Sequence, residues 1–166
     1  LYHIPPVSGV NISLDLIERL VIRYPNTIVG VKDSSGNWEN TQSILERQLD
    51  DFRVFAGSEH FLLQTMRAGG AGCISATANI NPNAIYNLYK KWKSNQADDL
   101  QKQLNQVRAT LESYPMIPAL KSVVSYYSNH PDWTIVRPPF ISLEKETQKE
   151  LIQKLKSLGF VMPNLD

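Results

Sequence analysis

The sequence of 166 residues predicts an α/β fold, with a parallel sheet in residues 1–95 and a helical extension in residues 96–166. Two observations lead to this prediction. Short apolar runs alternate four times with helical patterns up to residue 95, and the connections between them are short. Such alternation is typical of right-handed βαβ units, which form parallel sheets. After residue 95 only helical patterns follow.

The predicted strands are short runs of apolar residues that stop at proline, glycine or polar residues. They cover residues 1–5, 27–32, 52–57 and 71–79. Their central positions are apolar at consecutive residues, which indicates a sheet that is covered on both faces.

Start signals support the helices that follow these strands. Ser13 and Asn37 can cap the first two helices, and Pro82 lies in the first turn of the fourth. The predicted helices cover residues 13–25, 37–49, 59–69 and 81–95.

The extension is predicted to contain three further helices, at residues 97–113, 117–129 and 142–159. Ser142 is the expected N-cap of the last helix, and Gly159 is its expected stop. Residues 130–140 are rich in proline and are predicted to be extended.

The composition argues against nucleic-acid binding and against membrane association. The formal net charge is +1 and no basic stripe is visible, so we do not expect nucleic-acid binding. No apolar run approaches the ~20 residues that a membrane-spanning helix needs, and no signal peptide is recognisable. We therefore expect a cytoplasmic protein that does not associate with membranes.

Cys73 is the only cysteine, so we expect neither a disulfide framework nor a thiolate metal site. The three histidines also lack the spacing of metal ligands. Cys73 itself is interpreted as a small buried apolar side chain.

The beginning of the chain is abrupt. Leu1 has the character of the middle of a strand, and no methionine precedes it. We therefore expect these residues to be a fragment of a longer protein.

Ligands of parallel α/β folds bind at the carboxyl ends of the strands. The residues expected there are Tyr2, His3, Lys32, Asp33, Ser34, Gly57, Ser58, Glu59, His60, Ser75, Ala76 and Thr77. Any candidate site should therefore be sought among these positions.

Lys32 ends an otherwise apolar strand. Burial disfavours the charged ammonium, and a neutral amine is a nucleophile whose natural target is a carbonyl carbon, giving a Schiff base. Two alternatives stay open: the amine extends to solvent while its stem packs, or it pairs with Asp33 or Glu59.

Two roles are open for Tyr2 as well. It could be a packed core residue, or it could relay protons to and from a substrate bound to Lys32. Glu59, instead of having a role in the site, can be explained as a residue in the first turn of a helix, where the helix dipole favours a negative charge. His60 is more typical of a surface histidine.

Four segments resemble, in order and spacing, the second half of the dihydrodipicolinate synthase and N-acetylneuraminate lyase family. They are "YHIPPVSG" (2–9), "GVKDSSGN" (30–37), "FAGSE" (55–59) and "GGAGCISATANI" (69–80), and "IPALK" (117–121) and "RPPF" (137–140) resemble its C-terminal helical region. The resemblance implies a (β/α)8 TIM barrel, of which this chain would form the second half plus a C-terminal helical extension.

The resemblance also implies a function. Family members are class I aldolases, typically homotetramers without a cofactor, that join pyruvate to an aldehyde or cleave a 2-keto acid. Lys32 falls on the lysine that forms the Schiff base, Tyr2 on the proton relay and Ile74 on the residue that flanks pyruvate. The positions that correspond to contacts with the rest of the substrate are Ser34, Gly57, Glu59, His60 and Ala76.

Departures from the family pattern bear on the substrate. Val7 replaces the arginine with which synthases of lysine biosynthesis bind a dicarboxylate, and "GSEH" and Ala76 replace hydroxyl-binding groups of sialic acid lyases. The sequence favours an aldolase for 2-keto-3-deoxy sugar acids or 4-hydroxy-2-oxoglutarate. The alternatives are 4-hydroxy-tetrahydrodipicolinate synthase and a non-catalytic relative that binds 2-keto acids.

The family's Gly-Thr-Thr-Gly-Glu stretch, which binds the pyruvate carboxylate, has no counterpart in this sequence. Only four of eight strands can be counted, so we expect the first half of the barrel to lie outside it. An open half-barrel has exposed sheet edges, and we therefore expect this segment alone to be inactive or to need a partner.

Overall fold

A computed structural model describes residues 1–162 of the chain. The last four residues of the predicted extension, 163–166, lie outside the described part.

Four parallel strands form a single sheet in the order β1-β2-β3-β4. They are β1 (Tyr2–His3), β2 (Gly30–Asp33), β3 (Arg53–Ala56) and β4 (Gly72–Cys73). The register places Tyr2 opposite Lys32, and Lys32 opposite Phe55. The predicted parallel sheet is thus confirmed, and the carboxyl ends of its strands lie at one edge.

Five helices accompany the sheet: α1 (Pro5–Ser8), α2 (Leu14–Arg23), α3 (Trp38–Glu46), α4 (Leu62–Arg67) and α5 (Pro82–Lys91). The N-caps predicted for α2 and α3 are confirmed. Ser13 Oγ accepts a hydrogen bond from the Leu16 amide, and Asn37 Oδ1 accepts one from the Glu39 amide. A 3-10 helix, Glu59–Phe61, precedes α4.

The predicted fourth strand at residues 71–79 is wrong in its second half. Only Gly72–Cys73 pairs with β3, and Ala76–Asn79 is a 3-10 helix. The hydroxyls of Ser75 and Thr77 both donate hydrogen bonds to the buried Glu59 carboxylate. These contacts turn the chain inward, away from the extended course of a strand.

The extension consists of α6 (Ala97–Glu112), α7 (Met116–Ser128) and α8 (Lys145–Ser157). Ser142 is not the N-cap of α8, because its Oγ donates to the Thr134 carbonyl and Glu144 occupies the cap position. The connector before it is also not fully extended, since Pro131–Thr134 forms a 3-10 helix. No helix within residues 1–162 is long and apolar enough to cross a membrane.

Three apolar clusters hold these layers together. Val31 and Val54 pack against α2 and α3 on one face of the sheet. A second cluster joins α4 and α5 to α6, which contributes Ala97 and Leu104. The third lies within the extension, between α6, α7 and α8. The division of the chain at residue 95 remains a prediction, and α6 shares its core with the sheet region.

The second face of the sheet is less covered than the sequence predicts. Tyr2 and Ile74 are about half exposed, at 51% and 47%. Within residues 1–162, β1 and β4 each pair with one strand only, so both edges of the sheet are open. Parallel sheets are ordinarily covered on both faces, and the described residues supply helices on one.

Candidate active site

Tyr2 and Lys32 meet at the carboxyl ends of β1 and β2. The Lys32 Nζ donates a hydrogen bond to Tyr2 Oη at 3.1 Å and lies 4.2 Å from the centre of the tyrosine ring. Their opposed positions in the parallel register produce this contact. The hydrogen bond gives a path along which a proton can move between a phenol and an amine.

Lys32 forms an ion pair with neither of the two carboxylates considered from the sequence. Side chains alternate along a strand, so Lys32 and Asp33 point to opposite faces of the sheet. Asp33 faces α3, and Glu59 binds Arg108 instead. Lys32 is half-buried, and within residues 1–162 no carboxylate pairs with its ammonium.

Asp33 is the centre of a buried hydrogen-bond network that the sequence does not reveal. Its carboxylate accepts hydrogen bonds from Thr41 Oγ1 at 2.6 Å, the Ser35 amide at 3.0 Å and Asn40 Nδ2 at 3.0 Å, and lies 3.2 Å from His3 Nδ1. The network links β1, the loop after β2 and the first turn of α3. Because Asp33 directly follows Lys32 at the end of β2, this network fixes the backbone that carries the amine.

A cleft of about 250 Å³ lies beside the Tyr2–Lys32 pair. It is lined by Tyr2, Ile4, Lys32, Asp33, Ser34, Gly36, Thr41, Gly57, Ser58, Phe61, Ala76 and Arg108. Five of the eight residues predicted for the site thus line one cleft, while Glu59, His60 and Ile74 do not line it.

Gly57 is required by the close approach of two loops at the floor of this cleft. A Cβ at this position would clash with Ser34 Oγ and would lie 2.8 Å from the Asp33 carbonyl oxygen. The Gly57 amide also donates a hydrogen bond to that carbonyl. Any side chain would therefore push apart the ends of β2 and β3.

Glu59 is buried beneath the cleft, and its side chain is 1% exposed. It accepts hydrogen bonds from Ser75 and Thr77, and Arg108 Nη1 lies 3.3 Å from its Oε2. A buried carboxylate needs such partners to offset its desolvation. Glu59 therefore joins the β4 end to α6, and its oxygens are occupied within the protein.

His60 and Ile74 lie at the margin of the site. His60 is exposed and packs edge-on against Phe61, with ring centres 4.9 Å apart. The Ile74 amide donates to the Ala56 carbonyl at 2.8 Å, while its side chain is on the open face of the sheet. Their predicted contacts with substrate remain predictions.

Arg108 was missed from the sequence, although it lines the same cleft as Lys32. It lies on α6, far along the chain from the strands. Position 108 follows Leu104 by one helical turn and precedes Leu111, and both leucines are buried. An arginine among the apolar residues of one helix face is unusual, and this feature could have identified Arg108 from the sequence.

Cys73 is half-buried, and so less buried than the sequence predicts. Burial, reinforced by the negative charge of Glu59, raises its pKa to about 12, and Arg108 opposes this shift only in part. Thiolates are the reactive form of cysteine, so Cys73 is not a nucleophile near neutral pH. Across residues 1–162, no group of three or more candidate ligands is arranged to bind a metal.

A sequence profile of the dihydrodipicolinate synthetase family matches residues 1–158. The chain belongs to this family. A 4-hydroxy-tetrahydrodipicolinate synthase of Methanopyrus kandleri is 31% identical over 97% of the chain and 54% of its own length. A DapA-like lyase of Chloroflexus aurantiacus, itself uncharacterised, is 31% identical over 88% of the chain and 48% of its own length.

Solved structures of this family share the fold. YagE from Escherichia coli K12, solved in complex with pyruvate, has a TM-score of 0.86 at 26% identity, over 97% of the chain and 56% of YagE. Dihydrodipicolinate synthase from Agrobacterium tumefaciens has a TM-score of 0.80 at 30% identity, over 95% of the chain and 52% of its own length. The chain therefore spans about half the length of its relatives, as the second half of a family TIM barrel with its helical extension.

Proposed function

We propose that this chain carries the Schiff-base half of a class I aldolase active site, with Lys32 as nucleophile and Tyr2 as proton relay. The observation that carries the proposal is the 3.1 Å contact between Lys32 Nζ and Tyr2 Oη at the edge of a cleft. Pyruvate is bound by YagE, which shares the fold at 26% identity, and this supports a 2-keto acid as the ligand.

The proposed reaction begins when the Lys32 amine adds to the keto carbon of pyruvate and loss of water leaves a protonated imine. The imine withdraws electrons, so a proton leaves the pyruvate methyl group and an enamine forms. The enamine carbon then attacks the carbonyl carbon of an aldehyde, whose oxygen takes up a proton. Hydrolysis releases the product and restores the amine, and the reverse sequence cleaves a 2-keto acid.

Tyr2 would move the protons that these steps require. Its hydroxyl already contacts the amine nitrogen that adds to the keto carbon, from which water then leaves. A positioned acid–base group of this kind typically accelerates a reaction by about 10²- to 10⁴-fold. Ser34, Gly57 and Ala76 line the same cleft and would border the rest of the substrate.

The favoured substrates are 2-keto-3-deoxy sugar acids or 4-hydroxy-2-oxoglutarate. Val7, at the position of the arginine in lysine-pathway synthases, is 78% exposed and uncharged. An apolar side chain offers no partner for a second carboxylate.

A lysine-pathway synthase is the second candidate. The observation that favours it is the similarity to the Methanopyrus kandleri relative, a 4-hydroxy-tetrahydrodipicolinate synthase at 31% identity. A panel of aldehydes, including aspartate semialdehyde, separates the two candidates.

We further propose that the intact protein supplies the four strands that would complete the barrel. β1 and β4 have open edges within the described residues, and the chain covers about half of its relatives. A homotetramer and independence of cofactors remain predictions from the family resemblance, and a cytoplasmic location remains a prediction from composition.

The test is reductive trapping in the intact protein. Pyruvate is added with borohydride, which reduces an imine to a stable amine, and the adduct is mapped by mass spectrometry. We expect modification at Lys32 and none in the Lys32→Ala variant. An intact protein that turns over substrate without an adduct at Lys32 would contradict the proposal, whereas reversible binding without trapping would support the non-catalytic relative.

A further inference from the structure

Arg108 brings a second cation to the cleft, from the helical extension. Its side chain is 15% exposed and lines the cleft together with Lys32. Among the described residues that line this cleft, Lys32 and Arg108 carry the only positive charges. If Lys32 is committed to the imine, Arg108 is the remaining cation for the other end of a substrate.

The charge of Arg108 is already matched by carboxylates of the protein. Nη1 lies 3.3 Å from Glu59 Oε2, and Nε donates to Glu112 Oε1 at 2.7 Å. Glu59 is fully buried, and Glu112 is half exposed. A substrate carboxylate would be the third carboxylate around one guanidinium, which is electrostatically unfavourable in a partly buried site.

Arg108 nevertheless keeps hydrogen-bond donors. Within residues 1–162 its three hydrogen bonds, to Glu112, Glu59 and Ser75, use only Nε and Nη1. Both N–H groups of Nη2 are therefore available. A guanidinium whose charge is balanced but whose donors are free suits an uncharged oxygen, such as a hydroxyl.

We propose that Arg108 determines specificity for the aldehyde, by donating from Nη2 to a hydroxyl oxygen of a neutral polyhydroxy aldehyde. This inference rests on the proposed function and narrows it, because it favours sugar-derived aldehydes over glyoxylate and aspartate semialdehyde. Glu59 fixes the guanidinium in place, as a positioning residue that does not contact substrate.

The experiment uses the intact protein with pyruvate and three aldehydes: D-glyceraldehyde, glyoxylate and aspartate semialdehyde. We expect the wild-type kcat/KM to be highest for glyceraldehyde. Arg108→Gln should lower that kcat/KM by on the order of 10- to 100-fold, the effect of losing one charged hydrogen bond, and should change the values for the two acids less. Trapping of pyruvate at Lys32 should be unaffected.

Two further variants separate a specific effect of Arg108 from a general loss of structure. Glu59→Gln combined with Arg108→Gln removes both charges of the buried pair together, and should show the same selective loss. Arg67→Gln is the matched control, because Arg67 pairs with Asp98 on the surface, away from the cleft, and should leave all three kcat/KM values unchanged.

The outcomes separate this inference from the proposed function. If pyruvate is trapped at Lys32 but the Arg108 variants lose activity equally with all three aldehydes, the specificity role is wrong and the proposed function stands. A wild-type preference for glyoxylate or aspartate semialdehyde also overturns it. Absence of a Lys32 adduct overturns the proposed function itself, and the role of Arg108 with it.

Discussion

Lys32 Nζ and Tyr2 Oη lie 3.1 Å apart, although thirty positions separate the two residues along the chain. Parallel pairing of β1 with β2 sets them opposite each other. Asp33, the other charged residue at this strand end, faces away and is bound by four polar partners. The amine thus faces a phenol instead of a carboxylate, an arrangement suited to proton exchange.

Lys32→Ala should abolish turnover in the intact protein while leaving the fold intact. No other amine among the residues that line the cleft can form the imine, so a loss of about 10³-fold or more in kcat is expected. Lys32 makes no ion pair within residues 1–162, so the urea midpoint should change little. Lys102→Ala, at an exposed position of α6, is the control. Retention of kcat above a tenth of the wild-type value would exclude the imine mechanism.

Tyr2→Phe removes the hydroxyl and keeps the ring. We expect kcat to fall by about 10²- to 10⁴-fold with little change in KM, because a proton relay acts on the chemical steps and not on substrate binding. Steady-state kinetics measure both constants. The relay role is wrong if KM rises while kcat is maintained, since that pattern belongs to a binding contact.

Local signals predicted the elements well. Ser13 and Asn37 cap their helices as expected, because a cap depends on a few neighbouring residues. The order of strands and helices followed from apolar periodicity in the same way. Lys32 could be identified as a candidate because a lysine at the end of an apolar strand is conspicuous in the sequence alone.

Structural features that depend on residues far apart in the sequence could not be predicted. The second half of the proposed fourth strand is a 3-10 helix because Ser75 and Thr77 bind Glu59. Arg108 reaches the cleft only through the packing of α6 against the sheet region. In each case the decisive partner is more than fifteen positions away, beyond the reach of periodicity or capping rules.

Asp33→Ala should destabilise the protein by ~3 kcal/mol. The substitution removes the acceptor for buried and half-buried donors of Thr41, Asn40 and Ser35, and an unsatisfied buried donor costs about 1–3 kcal/mol. Urea denaturation measures the change. Asp50→Ala, on the exposed surface, should stay within about 0.5 kcal/mol of wild type. Equal stabilities of the two variants would show that the network does not hold this loop.

Cys73 should resist alkylation in the folded protein. Its pKa is raised to about 12, so at pH 8 the thiolate fraction is on the order of one in 10⁴. Because the shift disfavours the thiolate, labelling by iodoacetamide should remain slow until strongly alkaline pH and become fast once urea unfolds the chain. Mass spectrometry over time follows both reactions. Equal rates in the folded and unfolded states would contradict the raised pKa of this thiol.

The isolated chain of 166 residues should not turn over pyruvate. Within the described part, β1 and β4 each leave one edge unpaired, and apolar side chains such as Val29, Ile74 and Tyr86 are 47–61% exposed around the open sheet. Exposed edges and apolar patches of this kind favour association. We therefore expect aggregation or self-association in size-exclusion chromatography, and no aldol product, while the intact protein assayed in parallel is active. Turnover by a monomeric isolated chain would show that the residues that carry Lys32 and Tyr2 suffice without the remaining strands.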